Sequence, residues 1–129
     1  MFSQVIFAID DGHELRERKR FLKYIDNLIA VGKVSHCSPC IGMYEGVLET
    51  CYMMREHEFL DHVLGSVYVG LQQCFMIIPG DTRQPCVLHW WTHRESMGAP
   101  LKQVSYDEAV TYKGWTFVES TQKFYVVGN

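Results

Sequence analysis

Gly42-Met43-Tyr44-Glu45-Gly46-Val47-Leu48-Glu49-Thr50-Cys51-Tyr52-Met53-Met54 is the stretch around which the chain is organised. It sets a tyrosine and two carboxylates in an otherwise strand-like run. Glycines at 42 and 46 permit a bend, a bulge or the close approach of a ligand to the backbone. From Val47 onward, Leu48, Thr50, Tyr52 and Met54 alternate with Val47, Glu49, Cys51 and Met53. In a strand these two sets face opposite ways, so Glu49 shares a face with Val47 and Cys51. Two readings of Glu49 are open: an edge-strand charge turned to solvent, or a carboxylate that meets a cation.

Working outward, Val5 to Ile9 is a short β-branched apolar run and reads as a buried strand. Asp10-Asp11-Gly12 closes it with turn chemistry, and Asp11 can cap a following helix. Between His13 and Val31, Leu15, Leu22, Ile25 and Ile29 recur at helical spacing, with Phe21 and Leu28 widening the stripe, and Gly32 is a natural stop. Lys33 to Met43 is expected to return as a second strand, with Pro39 marking an edge position or an irregular start. Val47 to Met54 forms the third, joined through a tight turn at Glu45-Gly46 or continuous with the second as one bent strand. Glu56 opens a second helix whose buried face is Phe59, Leu60, Val63, Leu64, Val67 and Leu71, despite Gly65 inside it. Cys74 to Ile78 is a fourth strand, ended by Pro79-Gly80-Asp81.

The order strand, helix, strand, strand, helix, strand predicts an α+β, ferredoxin-like βαββαβ unit, an antiparallel sheet with helices on one face. The other face needs cover, from the C-terminal third or from partner subunits. In that third, 86–91 reads as a strand, 92–101 as a loop, 105–109 as a short turn or helix, and 115–118 with 123–127 as a hairpin.

The length of 129 residues predicts a single domain, 1–129, with one core. The composition is that of a folded protein: 47% hydrophobic, 13% aromatic, 21% charged. No apolar run is long enough to span a bilayer, and no secretory signal is visible, so neither a membrane nor export is expected. With 12 basic and 15 acidic residues the net charge of −3 argues against a nucleic-acid partner. The basic run 16–20 carries Glu17 inside it and reads as a solvated helix face. Five cysteines, an odd count without a signal, read as reduced thiols of a cytoplasmic protein. Cys37-Ser38-Pro39-Cys40 is a lone C-x-x-C. His89 and His93 are the only second pair that could complete a zinc site, and a redox C-x-x-C would follow a strand rather than precede one. Neither metal nor cofactor is expected. The P-loop, the dinucleotide-binding glycine fingerprint, G-x-S-x-G and H-E-x-x-H are absent from the sequence.

Three segments together resemble the bacteriophage S-adenosylmethionine lyases, long called S-adenosylmethionine hydrolases. They are Gly42-Met43-Tyr44 followed by Glu49; Gln73-Cys74-Phe75-Met76-Ile77-Ile78-Pro79-Gly80-Asp81-Thr82; and the tail from Gly114-Trp115-Thr116-Phe117-Val118 through Phe124-Tyr125-Val126-Val127. The spacing from Tyr44 to the acid is shorter here than in some relatives, which makes Glu45 a rival to Glu49. The resemblance implies cleavage of S-adenosylmethionine to 5′-methylthioadenosine and homoserine lactone, a phage anti-restriction activity in the host cytoplasm. It implies a homotrimer, with ligand held between subunits. It gives Glu49 and Tyr44 the catalytic roles and places Gly42, Met43, Glu45, Gln73 and Cys74 at the substrate, with no metal and no cofactor. Gln73 reads equally as a solvated helix end. One of Trp90, Trp91 and Trp115 is a candidate for stacking on adenine, with core packing as the rival role of each. A lyase acting on an S-adenosylmethionine-derived nucleotide messenger would need more basic residues, for which Arg55 and Arg83 are the candidates. A non-catalytic ligand- or host-protein-binding module is the reading from a different class.

Overall fold

The structure, a computed structural model, describes residues 2–9, 14–66, 68 and 74–128, the side chains at 14 and 15 excepted. Among the described residues, nine strands and three helices follow in the order β1 (Gln4–Ala8), α1 (Glu14–Ala30), β2 (Ser38–Tyr44), β3 (Val47–Arg55), α2 (Glu56–His62), β4 (Cys74–Ile78), β5 (Val87–Trp90), β6 (Arg94–Ser96), β7 (Leu101–Val104), α3 (Tyr106–Ala109), β8 (Gly114–Val118) and β9 (Lys123–Val127). All nine strands belong to one sheet, ordered β6-β5-β4-β1-β3-β2-β8-β9-β7, in which every neighbouring pair is antiparallel. The α+β class expected from the sequence is what forms. The sheet is not the four-stranded ferredoxin-like one that was expected. The C-terminal strands continue it on the β2 side, and two more extend it beyond β4.

That extension makes the sheet curl. Its edge strands, β6 and β7, are consecutive in the chain and separated only by residues 97–100. A flat nine-stranded sheet would hold its edges about 38 Å apart at the usual strand spacing. The connecting segment reaches at most about 18 Å when fully extended. The two edges must therefore approach one another, and the sheet bends towards a barrel with a seam between β6 and β7.

The curl gives the sheet an outer and an inner face. Val5, Phe7, Tyr52, Met54, Phe75 and Ile77 point outward and pack under α1 and α2, against Phe21, Ile25, Phe59 and Val63. Phe7 sits among Phe21, Tyr52 and Phe59 with ring centroids 4.7–5.9 Å apart. On α1 the buried stripe is Phe21, Ile25 and Leu28, whereas Leu22 and Ile29, expected in the core, are exposed. Tyr24 lies beside that stripe, its hydroxyl donating to the carbonyl of His62. The inner face carries Ile6, Cys40, Cys51, Ile78, Cys86 and Val118, with Met53, Met76, Met97, Leu101, Tyr125 and Val127 against them. The C-terminal strands thus cover the second face, one of the two covers the sequence left open.

Several local expectations resolve. Glu45 and Gly46 form a two-residue hairpin loop, both with positive φ (49° and 85°), which joins β2 to β3 and excludes the single bent strand. Pro39 lies at the irregular start of β2, before its pairing with β8 begins at Cys40. The second helix is shorter than its apolar spacing suggested. It ends at His62, and the N–H groups of Val63 and Leu64 both turn back to the carbonyl of Phe59. Gly65 and the β-branched Val63 stand where the helix would have continued. Leu60, expected in the core, is exposed. The turn at 10–12 with its Asp11 cap, the side chain of Leu15, and Val67, Leu71 and Gln73 lie outside the described residues. The segment 92–101, expected to be a loop, contains β6 and the start of β7. Both are short edge strands rich in polar residues, and neither shows the alternation that marks a half-buried strand.

Candidate functional site

The concave inner face does not fill. It encloses a cavity of about 500 Å³ between β1, β2, β3 and β4 on one side and the C-terminal strands on the other. That lies within the range of small-molecule sites. Gly42, Met43, Tyr44, Glu49 and Cys74, five of the residues singled out from the sequence, line it. Glu45 is not among its lining residues. It caps the hairpin loop, exposed, with its N–H on the carbonyl of Lys113. Of the two carboxylates, Glu49 lines the cavity and Glu45 does not.

Strand register explains the convergence. Glu49 pairs with Gly42 across β3 and β2, and Gly42 pairs with Thr116 across β2 and β8. These three positions are a cross-sheet row on the inner face. The absence of a side chain at Gly42 keeps that row open, since a Cβ there would lie 3.2 Å from Cys51 Sγ. Tyr44, two residues further along, stands at the mouth with 64% of its surface exposed, beside Val47 and Leu48, which are equally open. β3 pairs with β2 at Glu49 but with β1 only from Cys51 onward, so Glu49 lies where the strand has one neighbour, and its side chain is exposed. The carboxylate remains open to water through the cavity mouth.

The electrostatics mark the same spot. Cys51 is pushed up to about 12, by burial first and then by the nearby charge of Glu49 and by Cys40. Cys74, on β4 of the same wall, is raised by burial and again by Glu49. One carboxylate thus acts on two thiols that flank β1. Both remain protonated near neutrality and offer soft, polarizable surface rather than a nucleophile. Cys37 and Cys40 are likewise pushed up to about 12, mainly by burial, so the C-x-x-C carries no thiolate near neutral pH. No group of three or more His, Cys, Asp and Glu among the described residues is placed to hold a metal ion. His89 stacks on Phe75 and His93 on Trp90.

Other residues join the site that the sequence did not single out. Met76, Met97, Leu88, Tyr112, Lys113, Thr116 and Tyr125 line the cavity. They come from four strands and two loops, and only the curl brings them together. Of the tryptophans, Trp115 lines the cavity and stacks on Phe124 with centroids 5.2 Å apart, Trp91 is exposed, and Trp90 packs on His93. Arg55 lies over the ring of Phe2 and Arg83 pairs with Asp81, and neither lines the cavity. In the basic run of α1, Arg20 pairs with Glu17 and Arg18 donates to the hydroxyl of Thr50 on β3. No described helix is long and apolar enough to cross a membrane.

No protein-family model matches this chain, and no curated protein sequence matches it.

Proposed function

We propose that the chain is a lyase that converts S-adenosylmethionine to 5′-methylthioadenosine and homoserine lactone. The observation that carries this reading is Glu49: a single carboxylate set opposite a glycine in a largely apolar cavity of aliphatic, aromatic, thiol and thioether side chains, which Lys113 and Thr116 also line. Such a lining suits a cationic, partly apolar ligand. Thioether and ring faces accept a sulfonium, and the carboxylate accepts an ammonium. Two basic residues that would have favoured a larger nucleotide messenger, Arg55 and Arg83, sit elsewhere, which favours the simpler substrate.

The reaction asks for orientation more than for reactive groups. The substrate's carboxylate attacks its own γ-carbon. A C–O bond forms, the C–S bond breaks, and the electron pair leaves with sulfur as a neutral thioether. No proton need move, and closing the five-membered ring gives the lactone. Holding the methionyl tail in an attacking geometry can contribute about 7–11 kcal/mol. The carboxylate and the sulfonium neutralise each other along the path, so a site of low polarity favours the transition state over the separated charges. Glu49 binds the ammonium and leaves the substrate's carboxylate free to attack. Tyr44 steadies the tail at the mouth, Gly42 and Met43 give it room along β2, and Cys74 lines the same wall on β4. Gln73 retains the role of reading a polar edge of the nucleoside.

A homotrimer belongs to the same reading, with a neighbouring subunit packed against the exposed Tyr44, Val47 and Leu48 at the cavity mouth. The activity fits a phage countermeasure acting in the host cytoplasm, because removing the methyl donor starves restriction-modification systems. Incubating the purified protein with S-adenosylmethionine and separating the products tests the reading. Methylthioadenosine with lactone is expected, and unchanged substrate refutes it.

A further inference from the structure

The two long helices close only part of the outer face. They pack on β1, β3 and β4, and the core they form does not reach the outer side of β2, β8 and β9. Ile41, Met43, Trp115, Phe117 and Phe124 share that side and stay half-buried, outside both core clusters. Register joins them into one floor: Ile41 pairs with Phe117 and Phe117 with Phe124, while Met43 pairs with Trp115. Trp115 stacks on Phe124, and Phe117 meets the same ring edge-on. α1 borders this floor. Its Arg18 donates to Thr50, which pairs with Ile41. Leu22 and Ile29 follow Arg18 along one side of the helix, and both are exposed. The apolar stripe of α1 is therefore wider than the chain itself covers, and the uncovered part overlooks the uncovered floor. A contiguous apolar surface of this kind marks an interface.

The order of residues on β8 says what fits it. The N–H of Glu45 bonds to the carbonyl of Lys113, and that of Glu119 to the carbonyl of Pro39, so the β2–β8 ladder continues by one residue at each end. Strand alternation then sets Lys113, Trp115, Phe117 and Glu119 in one outward row, a cation, two rings and an anion. Lys113 and Trp115 border the cavity at the level of the strand itself, as the outward-pointing Phe7 and Phe75 do. Lys113 and Glu119 are exposed, and neither has a salt-bridge partner among the described residues.

We propose that this face is the interface with a second copy of the chain, packed sheet on sheet about a two-fold axis. An axis lying between the sheets, at right angles to β8 and level with Thr116, brings each Lys113 opposite the partner's Glu119 and each Trp115 opposite the partner's Phe117. Such reciprocity is what a two-fold contact requires, and the row is complementary to its own reverse. The rings fill the gap of about 10 Å between packed sheets, and the charges at the ends fix the direction of packing. Leu22 and Ile29 meet the partner's flank. The contact does not depend on the lyase reading, and it is separate from the trimer contact at the cavity mouth. Alone it gives two chains, and combined with that trimer it gives six.

Sedimentation velocity over a range of protein concentrations counts the chains. Two or six are expected, and one or three overturns the proposal. Lys113→Glu and Glu119→Lys each set like charges against one another twice across the axis, and each should raise the dissociation constant of the contact by at least about tenfold. The double variant K113E/E119K restores opposite charges and should return to within about threefold of the parent. Phe117→Lys should halve the number of chains. Thermal unfolding shows whether that variant has folded, and the two charge reversals, at exposed positions, carry the test if it has not. Reversals that leave association unchanged, or a double variant as weak as the single ones, overturn the two-fold contact.

Discussion

The two faces of this sheet are built from different material. The outer face is a dense cluster of rings, Phe7, Phe21, Tyr52, Phe59 and Phe75, closed by two helices. The inner face is methionine, cysteine and aliphatic residues around unfilled space, with Tyr125 among them, covered by strands of its own sheet. The same strands alternate between the two at every residue, so the contrast is not one of domains or of sequence regions. It suggests that the outer face carries the folding stability and leaves the inner face free to be hollow. Substitutions should sort accordingly, with outward-pointing residues changing stability and inward-pointing ones changing ligand handling.

The largest effect expected is on the outer face. Phe59 is fully buried against Phe7 and Phe75, and Phe59→Ala should lose about 3–5 kcal/mol of stability in chemical denaturation. Met76→Ala, one residue from Phe75 but pointing into the cavity, should cost about 1 kcal/mol because the space beside it is already empty. Equal losses would break the comparison. Next comes Glu49→Gln, expected to reduce turnover by at least about 100-fold, equivalent to about 2.7 kcal/mol, with an unfolding midpoint close to that of the parent.

Glu58 sharpens the comparison with an outer-side charge whose role is structural. Burial alone would raise its carboxyl, but the Ser35 N–H and hydroxyl both donate to it and hold it below its ordinary value. A carboxyl lowered in the folded state adds stability above its unfolded pKa and loses it as pH falls through the folded value. Glu58→Gln should therefore cost about 2 kcal/mol at pH 7. The gap from the parent should close below about pH 4, as followed by urea titration across pH. A gap that widened in acid would reverse the assignment. The smallest effect is expected at Gly42→Ala. The added methyl needs Cys51 Sγ to yield by a few tenths of an ångström, which should cost less than about 1 kcal/mol. The same methyl intrudes opposite Glu49, so affinity for methylthioadenosine should fall more clearly than stability.

The strands that alternate were legible in the sequence. Val47 to Arg55 betrays its two faces residue by residue, and Gly46, which takes positive φ without steric cost, marks the turn between β2 and β3. Cys74–Ile78 was bounded by Gln72-Gln73 and Pro79-Gly80. What escaped were features fixed by neighbours far away in the chain. The exposure of Leu22, Ile29 and Leu60 depends on the rotation at which each helix lies on the sheet. β6, Arg94-Glu95-Ser96, has no apolar side to announce it. For the site, the parity of Glu49 with Cys51 was readable, and so was its oddness. That the shared face would be concave was not, because the curl depends on nine strands being drawn together by a four-residue connection. Lys113, Tyr125 and Met97 reach the cavity only through that curl.

The most direct test of the central claim is a time course of S-adenosylmethionine with the purified protein at neutral pH, its products separated by chromatography and identified by mass, with Glu49→Gln run in parallel. The account predicts methylthioadenosine and homoserine lactone in equal amounts from the earliest times, and neither with Glu49→Gln. Homoserine without lactone at early times would mean that water, not the substrate's own carboxylate, attacks. Unchanged substrate, or full turnover by Glu49→Gln, would contradict the account.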